Sequence, residues 1–297
     1  MISTATDAGR RLLVPDGFVD EAEQCLTAAA YDLCLVMLRP GECPALTAVA
    51  AQLLQEAFLE KDGVPPESFY RHLALLEPQT FCVMLKRGPN GPVPVGAAQV
   101  AIHERRPPDS IRDIDTVFGM DIPRLCANTT MPSGRTMPNL LTNFRDVAGL
   151  EAIALWPEYR ASRAAPYALL LYAQVLRYLV ARANINILTA IVDMRPGAVF
   201  RHIQSSLRTA LNPYGLPIRP RVYWTGGRWA QLSNQQVPVG ADGQPLVEVP
   251  NYSAPAYMEL WPWLDRLRSG DTKDRLTHDR VIGDALKKYA TFDPSFE

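Results

Sequence analysis

Apolar residues arrive along the chain in runs of two kinds. Short, nearly continuous runs bounded by turn residues predict buried strands at 31–38 (YDLCLVML), 80–87 (TFCVMLKR), 93–104 (VPVGAAQVAIHE), 149–155 (GLEAIAL) and 185–193 (INILTAIVD). The word GPNGP at 88–92, between the second and third of these, predicts a tight hairpin. Longer runs with apolar positions three and four residues apart predict helices at 42–61, at 65–76 and at 166–182, the last apolar nearly all round. Residues 105–148 are polar and proline-bearing, with few clear elements. A short helix around 197–203 and strands at 219–227 and 228–233 are expected next, and the tail from about 240 is rich in Trp, Pro and Tyr before turning helical and charged.

The order is therefore strand, two helices, two paired strands, strand, helix, strand, helix, two strands. The strand–helix–strand unit from 150 to 193 is a crossover, which makes its two strands parallel within one sheet. The hairpin strands before it are antiparallel. The simplest packing is an α/β fold, a mixed, mostly antiparallel central sheet with helices on both faces. Residues 30–235 form its main domain, 1–29 an N-terminal extension and 236–297 a C-terminal extension packed on the core.

Composition narrows the function classes. Of 297 residues, 47% are apolar and 21% charged, which describes a globular chain with a sizeable core. A formal net charge of -1 gives no reason to expect nucleic acid or an anionic membrane as partner. Cys25, Cys34, Cys43, Cys82 and Cys126 are odd in number and lack CxxC spacing, so they read as reduced thiols of a cytoplasmic protein, not as a disulfide framework or a metal site. His103 and Glu104 fall on opposite sides of a strand end, and no other cluster suggests a metal. The start, MISTATDAGRR, lacks the apolar core of a signal peptide, and the greasiest window, 164–183, carries Gln174, Arg177 and Arg182, as a core helix does.

The chemistry concentrates at 150–165, LEAIALWPEYRASRAA, where an apolar strand meets a helix. Backbone N–H groups at a helix N-terminus bind phosphate, aided by the positive end of the helix dipole. This word resembles the signature of the GCN5-related N-acetyltransferase (GNAT) superfamily, an apolar strand, Pro-Glu-Tyr-Arg, then Arg/Gln-x-x-Gly-x-Gly/Ala and a helix. Arg160 matches the first motif position and Ala165 the last, while Arg163 stands where the first glycine belongs. The order of elements is similar over about residues 30–235, and the motif match covers 150–193. The resemblance implies an acyltransferase that uses acyl-CoA or acyl carrier protein as cosubstrate, with no permanently bound cofactor. Leu155, Trp156, Arg160, Arg163, Ala164 and Ala165 are the donor-binding positions it implies.

The glycine departure, the long segment 104–125 and the enlarged core are similar to the branch of acyl-homoserine-lactone synthases and N-acyl amino acid synthases. The Glu-x-Ser/Thr-Arg word of the lactone synthases is replaced here by Glu151-Ala152-Ile153-Ala154, which counts against lactone synthesis. A small amine, an amino acid in the simplest case, is then the acceptor, and an acyl carrier protein is a candidate partner. The broken glycine pattern also fits a catalytically silent domain that binds an acyl thioester or a protein.

Two residues are candidates for proton transfer. Period-two alternation puts Glu151 on the face of Ile153 and Leu155, where a carboxylate is a candidate general base; an edge-exposed or ion-paired glutamate is the plain alternative. In the superfamily a tyrosine of the helix after the fifth strand often protonates the departing thiolate, and Ala-x-x-x-Tyr aligns Ala198 with His202. His202 thus stands for the phenol, packing or solvent exposure being the alternative. Asp193 and Arg195 close a parallel strand, with helix capping the stronger role for Asp193. Tyr223, Trp224, Trp229, Trp261 and Trp263 fit core packing better than a pocket lining.

Overall fold

A computed structural model describes residues 2–5, 11–29, 32–62, 79–102, 106–108, 121–131, 133–160, 167–181, 183–193, 222–223, 250–251, 253–260 and 291–292. In chain order these form β1 (Ile2–Ala5), β2 (Arg11–Val14), α1 (Phe18–Thr27), β3 (Leu33–Leu38), α2 (Pro44–Asp62), β4 (Thr80–Gly88), β5 (Gly91–Ile102), α3 (Ile122–Ala127), β6 (Val147–Leu155), α4 (Pro157–Arg160), α5 (Tyr167–Ala181), β7 (Ile187–Asp193), β8 (Val222–Tyr223), β9 (Pro250–Asn251), β10 (Ser253–Glu259) and β11 (Thr291–Phe292).

Seven strands make the main sheet, in the order β10-β7-β6-β5-β4-β3-β11. Only β6–β7 and β3–β11 run parallel; the other pairs are antiparallel. The expected mixed, mostly antiparallel sheet is therefore present, and the crossover strands are parallel as the sequence order requires. The hairpin lies where GPNGP placed it, with Gly91 at φ 115, a conformation open to glycine.

Helices α1 and α2 pack on one another and against β5, and α5 lies across β3, β4, β5 and β6 on the other face. Strands β3, β4 and β5 are buried on both faces, which is why they read as unbroken apolar runs. Helix α2 buries Leu46, Val49, Ala50, Leu53, Leu54 and Ala57, one stripe at helical spacing. Its N-terminus is capped from a neighbouring helix, since the Glu21 carboxylate of α1 accepts the Ala45 and Leu46 N–H groups at 3.4 and 2.9 Å. Arg87 fastens the other end of α1 to β4, donating to the Leu26 carbonyl and lying 3.8 Å from Glu23.

Several elements were not read from the sequence. Helix α1 adds Phe18, Ala22 and Leu26 to the main core, although it falls within 1–29. Helix α3 interrupts the polar stretch 105–148; Asp121 caps it, accepting the Arg124 N–H at 3.0 Å. It seeds a second core cluster with Met131, Met137, Leu140, Val147, Ile187 and Tyr257. Strands β10 and β11, both from the C-terminal segment, form the two edges of the sheet. The expected helices at 65–76 and 197–203 lie outside the described residues, as do the expected strands at 219–233 apart from β8.

Candidate active site

Strand β6 changes neighbours partway along its length. From Val147 to Leu150 it lies between β5 and β7, pairing Val147 with Ile187 through Leu150 with Ala190. Beyond that step β7 keeps only β10, which it pairs along its whole length, with Ile191, Val192 and Asp193 opposite Pro255, Ala254 and Ser253. Strand β6 continues alone beside β5, so the two parallel strands part at their carboxyl ends. Side-chain exposure follows the separation. Residues 147–150 are buried, whereas Glu151, Ile153 and Ala154 are half-buried.

A bulge marks the parting point. Gln99 is opposite Ala152 and the next residue, Val100, is opposite Leu150, which leaves Glu151 as the extra residue of β6. Adjacent residues of β5 face opposite ways, so Leu150 and Ala152 do too. The alternation that groups Glu151 with Ile153 and Leu155 is thus interrupted at Glu151 itself, and counting by twos does not assign its face.

Beyond the bulge the ladder is regular. The Trp156 N–H donates to the Val95 carbonyl opposite it at 3.0 Å. By the alternation of an antiparallel pair, Ala152 and Ala154 direct their backbone groups to β5, while Ile153 and Leu155 direct theirs into the gap. One of these has a partner: the Leu155 carbonyl accepts the Arg160 Nε–H at 2.8 Å. Gly96, opposite Leu155, lets that side chain lie close. A Cβ at position 96 would collide with the Leu155 side chain and stand 2.8 Å from the Ala154 carbonyl oxygen.

The open end of the gap is an aromatic and cationic elbow. Trp156 is buried and Pro157 opens α4, a position where its missing N–H costs nothing. The Tyr159 ring meets Tyr167 of α5 edge-on, centroids 5.3 Å apart. The Lys86 ammonium of β4 stands 5.9 Å from the Tyr159 ring centroid. Burial pushes the Tyr167 phenol above its ordinary range, so it stays a neutral donor.

Of the residues named from the sequence, Glu151, Leu155, Trp156 and Arg160 fall on this one strand and elbow. Arg163, Ala164, Ala165 and His202 lie outside the described residues. Lys86, Tyr159 and Tyr167 escaped the sequence reading. Tyr159 sits inside the quoted word, and Lys86 ends a strand whose pairing partners were predicted. Among the described residues no group of three or more His, Cys, Asp or Glu is placed to hold a metal ion. No helix among them is long and apolar enough to cross a membrane.

No protein-family model matches the chain, and no curated protein matches it in sequence. Solved structures similar to it include the AHL synthase LasI, 13% identical, with a TM-score of 0.39 over 78% of this chain and 91% of that one. FeeM, an N-acyl amino acid synthase from uncultured soil microbes, is 14% identical, with a TM-score of 0.41 over 78% of this chain and 94% of that one. A mutant form of the spermidine N-acetyltransferase SpeG from Vibrio cholerae is 9% identical, with a TM-score of 0.39 over 79% of this chain and 98% of that one. The fold described above rests on this chain's own strand order and register.

Proposed function

We propose that this protein is an acyltransferase that moves an acyl group from a thioester donor, acyl-CoA or an acyl carrier protein, to an amine, an amino acid in the simplest case. The observation that carries this reading is the parting of β6 from β7 at Glu151. In this reading the parting opens a slot with the Glu151 carboxylate at its closed end and Lys86 and Arg160 at its open end. From Glu151 to Leu155 the strand spans about 13 Å at roughly 3.3 Å per residue. A thioester on an extended arm that ends in phosphate fits that polarity: phosphate at the elbow, reacting carbon beside Glu151. The arm would lie along the backbone groups of Ile153 and Leu155 as an added strand.

In this reading Glu151 takes a proton from the amine, directly or through a water, as the nitrogen attacks the thioester carbon. The carbonyl electron pair moves to oxygen, a backbone N–H of β6 stabilises the oxyanion, and its collapse expels the thiolate. His202 is the proposed acid for that sulfur. Leu155, Trp156, Arg160, Arg163, Ala164 and Ala165 form the proposed donor-phosphate end, with Arg163 giving a charge-assisted contact where the family signature has glycine. The protein then acts in the cytoplasm on small molecules.

Mass spectrometry of the purified protein for retained coenzyme A or pantetheine, paired with thiol release from acetyl-CoA, octanoyl-CoA and octanoyl carrier protein over an amino acid panel, tests this. Thiol release that depends on an amine supports the transferase. Arg163 in place of glycine favours a second reading, a silent domain that holds the thioester; retained donor with no release on any amine would establish that one.

A further inference from the structure

Strands β5 and β6 carry between them only two polar side chains, Gln99 and Glu151. The register brings the two together. Gln99 is opposite Ala152 and Val100 opposite Leu150, so the rungs on either side of Glu151 are those of Gln99 and its next neighbour. The other residues of β5 and β6 near this point are small or apolar, with Ala97, Ala98 and Ala101 on β5 and Ala148, Gly149, Ala152 and Ala154 on β6, while Thr80 of β4 stands opposite Val100 and Thr189 of β7 opposite Gly149.

Gln99 is 1% exposed, and its Nε2 group makes no hydrogen bond among the described residues. A buried N–H₂ without an acceptor destabilises the resting protein, and a methionine or leucine would fill the same space without that cost. The donor is also neutral. A lysine or arginine here would be a buried charge. A neutral donor suits an oxygen that gains negative charge only during the reaction.

We infer that Gln99 is a catalytic residue whose Nε2–H donates to the carbonyl oxygen of the acyl group being transferred. This rests on the acyltransferase reading of the same site and adds a side-chain donor to the backbone N–H of β6. As the amine nitrogen bonds to the thioester carbon, the π pair moves to oxygen and the Gln99 N–H meets the oxyanion. When the pair returns, the C–S bond breaks, the amide product keeps its carbonyl, and the thiolate is protonated. Gln99 itself neither gains nor loses a proton.

Gln99→Met, close in volume and without a donor, separates catalysis from packing. The expected result is kcat lowered by about 10²–10³-fold, the usual effect of losing one oxyanion donor. The KM for octanoyl-CoA should stay within about threefold and the melting temperature should be unchanged or raised, since a buried unpartnered group has gone. Gln99→Leu, also without a donor, gives the same kinetic test should the methionine variant fail to fold. Amine-dependent thiol release by wild type with an unchanged kcat in the variant overturns the assignment alone. A markedly lower melting temperature with kcat intact does so too, by making Gln99 a structural amide. No release by wild type from octanoyl-CoA, acetyl-CoA or octanoyl carrier protein overturns the acyltransferase reading and this assignment with it.

Discussion

The two halves of β6 are alike in composition and unlike in surroundings. Val147–Leu150 and Ala152–Leu155 are both small and apolar, yet the first half is clamped between two strands and the second keeps only one. Hydrophobicity therefore does not decide which half is core and which is site. That is decided by β7, whose pairing with β6 stops at Ala190 while its pairing with β10 runs its whole length. A bulge where the β6–β7 pairing stops lets β6 stay paired with β5 while its other edge opens. The first half packs as core, the second is open on one edge, and Glu151 is the extra residue at the bulge between them.

The largest test of this division is chemical. Glu151→Gln should reduce turnover by about 10²–10⁴-fold with donor affinity kept, because general-base assistance goes while the slot remains. Steady-state kinetics beside calorimetric donor titration checks it; near-normal turnover would reduce Glu151 to a bulge residue. Truncation in the two halves comes next. Leu150→Ala should cost about 2–5 kcal/mol of unfolding free energy, because Leu150 is packed in the main core. Ile153→Ala, in the half-buried stretch, should cost clearly less, and denaturant unfolding of the pair measures the contrast. Equal losses would show that the open half is filled as core.

Gly96→Ala should cost about 1–3 kcal/mol, since the added carbon collides with Leu155 across the ladder. Its thermal shift should come with weakened donor binding if Leu155 lines the slot. The smallest effect belongs to Arg160→Ala, which removes the hydrogen bond to the Leu155 carbonyl. At an exposed side chain that bond is worth about 1 kcal/mol, so stability should change little. A large loss of donor affinity in the same variant would locate the guanidinium at the phosphates.

The strands of the main sheet were legible wherever they are buried on both faces, because a covered strand has no polar side to interrupt it. The parallel pair followed from the crossover between 150 and 193. Strand β10 was not legible: Pro255 sits in its middle, and proline demotes a candidate strand unless, as here, it lies at a sheet edge. Helix α1 shows only Phe18, Ala22 and Leu26 on one side among acidic residues, too sparse a stripe to stand out. The site was legible in part for a similar reason. The word at 150–165 marked the strand and elbow, but a bulge is a relation between strands. Neither β5 nor β6 read alone shows that Glu151 is the extra residue, or that Gln99 is beside it.

Both margins of the sheet are supplied late in the chain. Strand β10 covers β7 and β11 covers β3, so the residues that shield the sheet on either side run from Ser253 to Phe292. While the polypeptide is being made, β3 through β7 emerge with two unguarded rows of backbone donors and acceptors, each a template for another chain. The nascent protein thus carries this aggregation hazard until Phe292 has emerged. A shortened product lacking those residues would keep most of its interior and bare β3 and β7 to pairing with another chain.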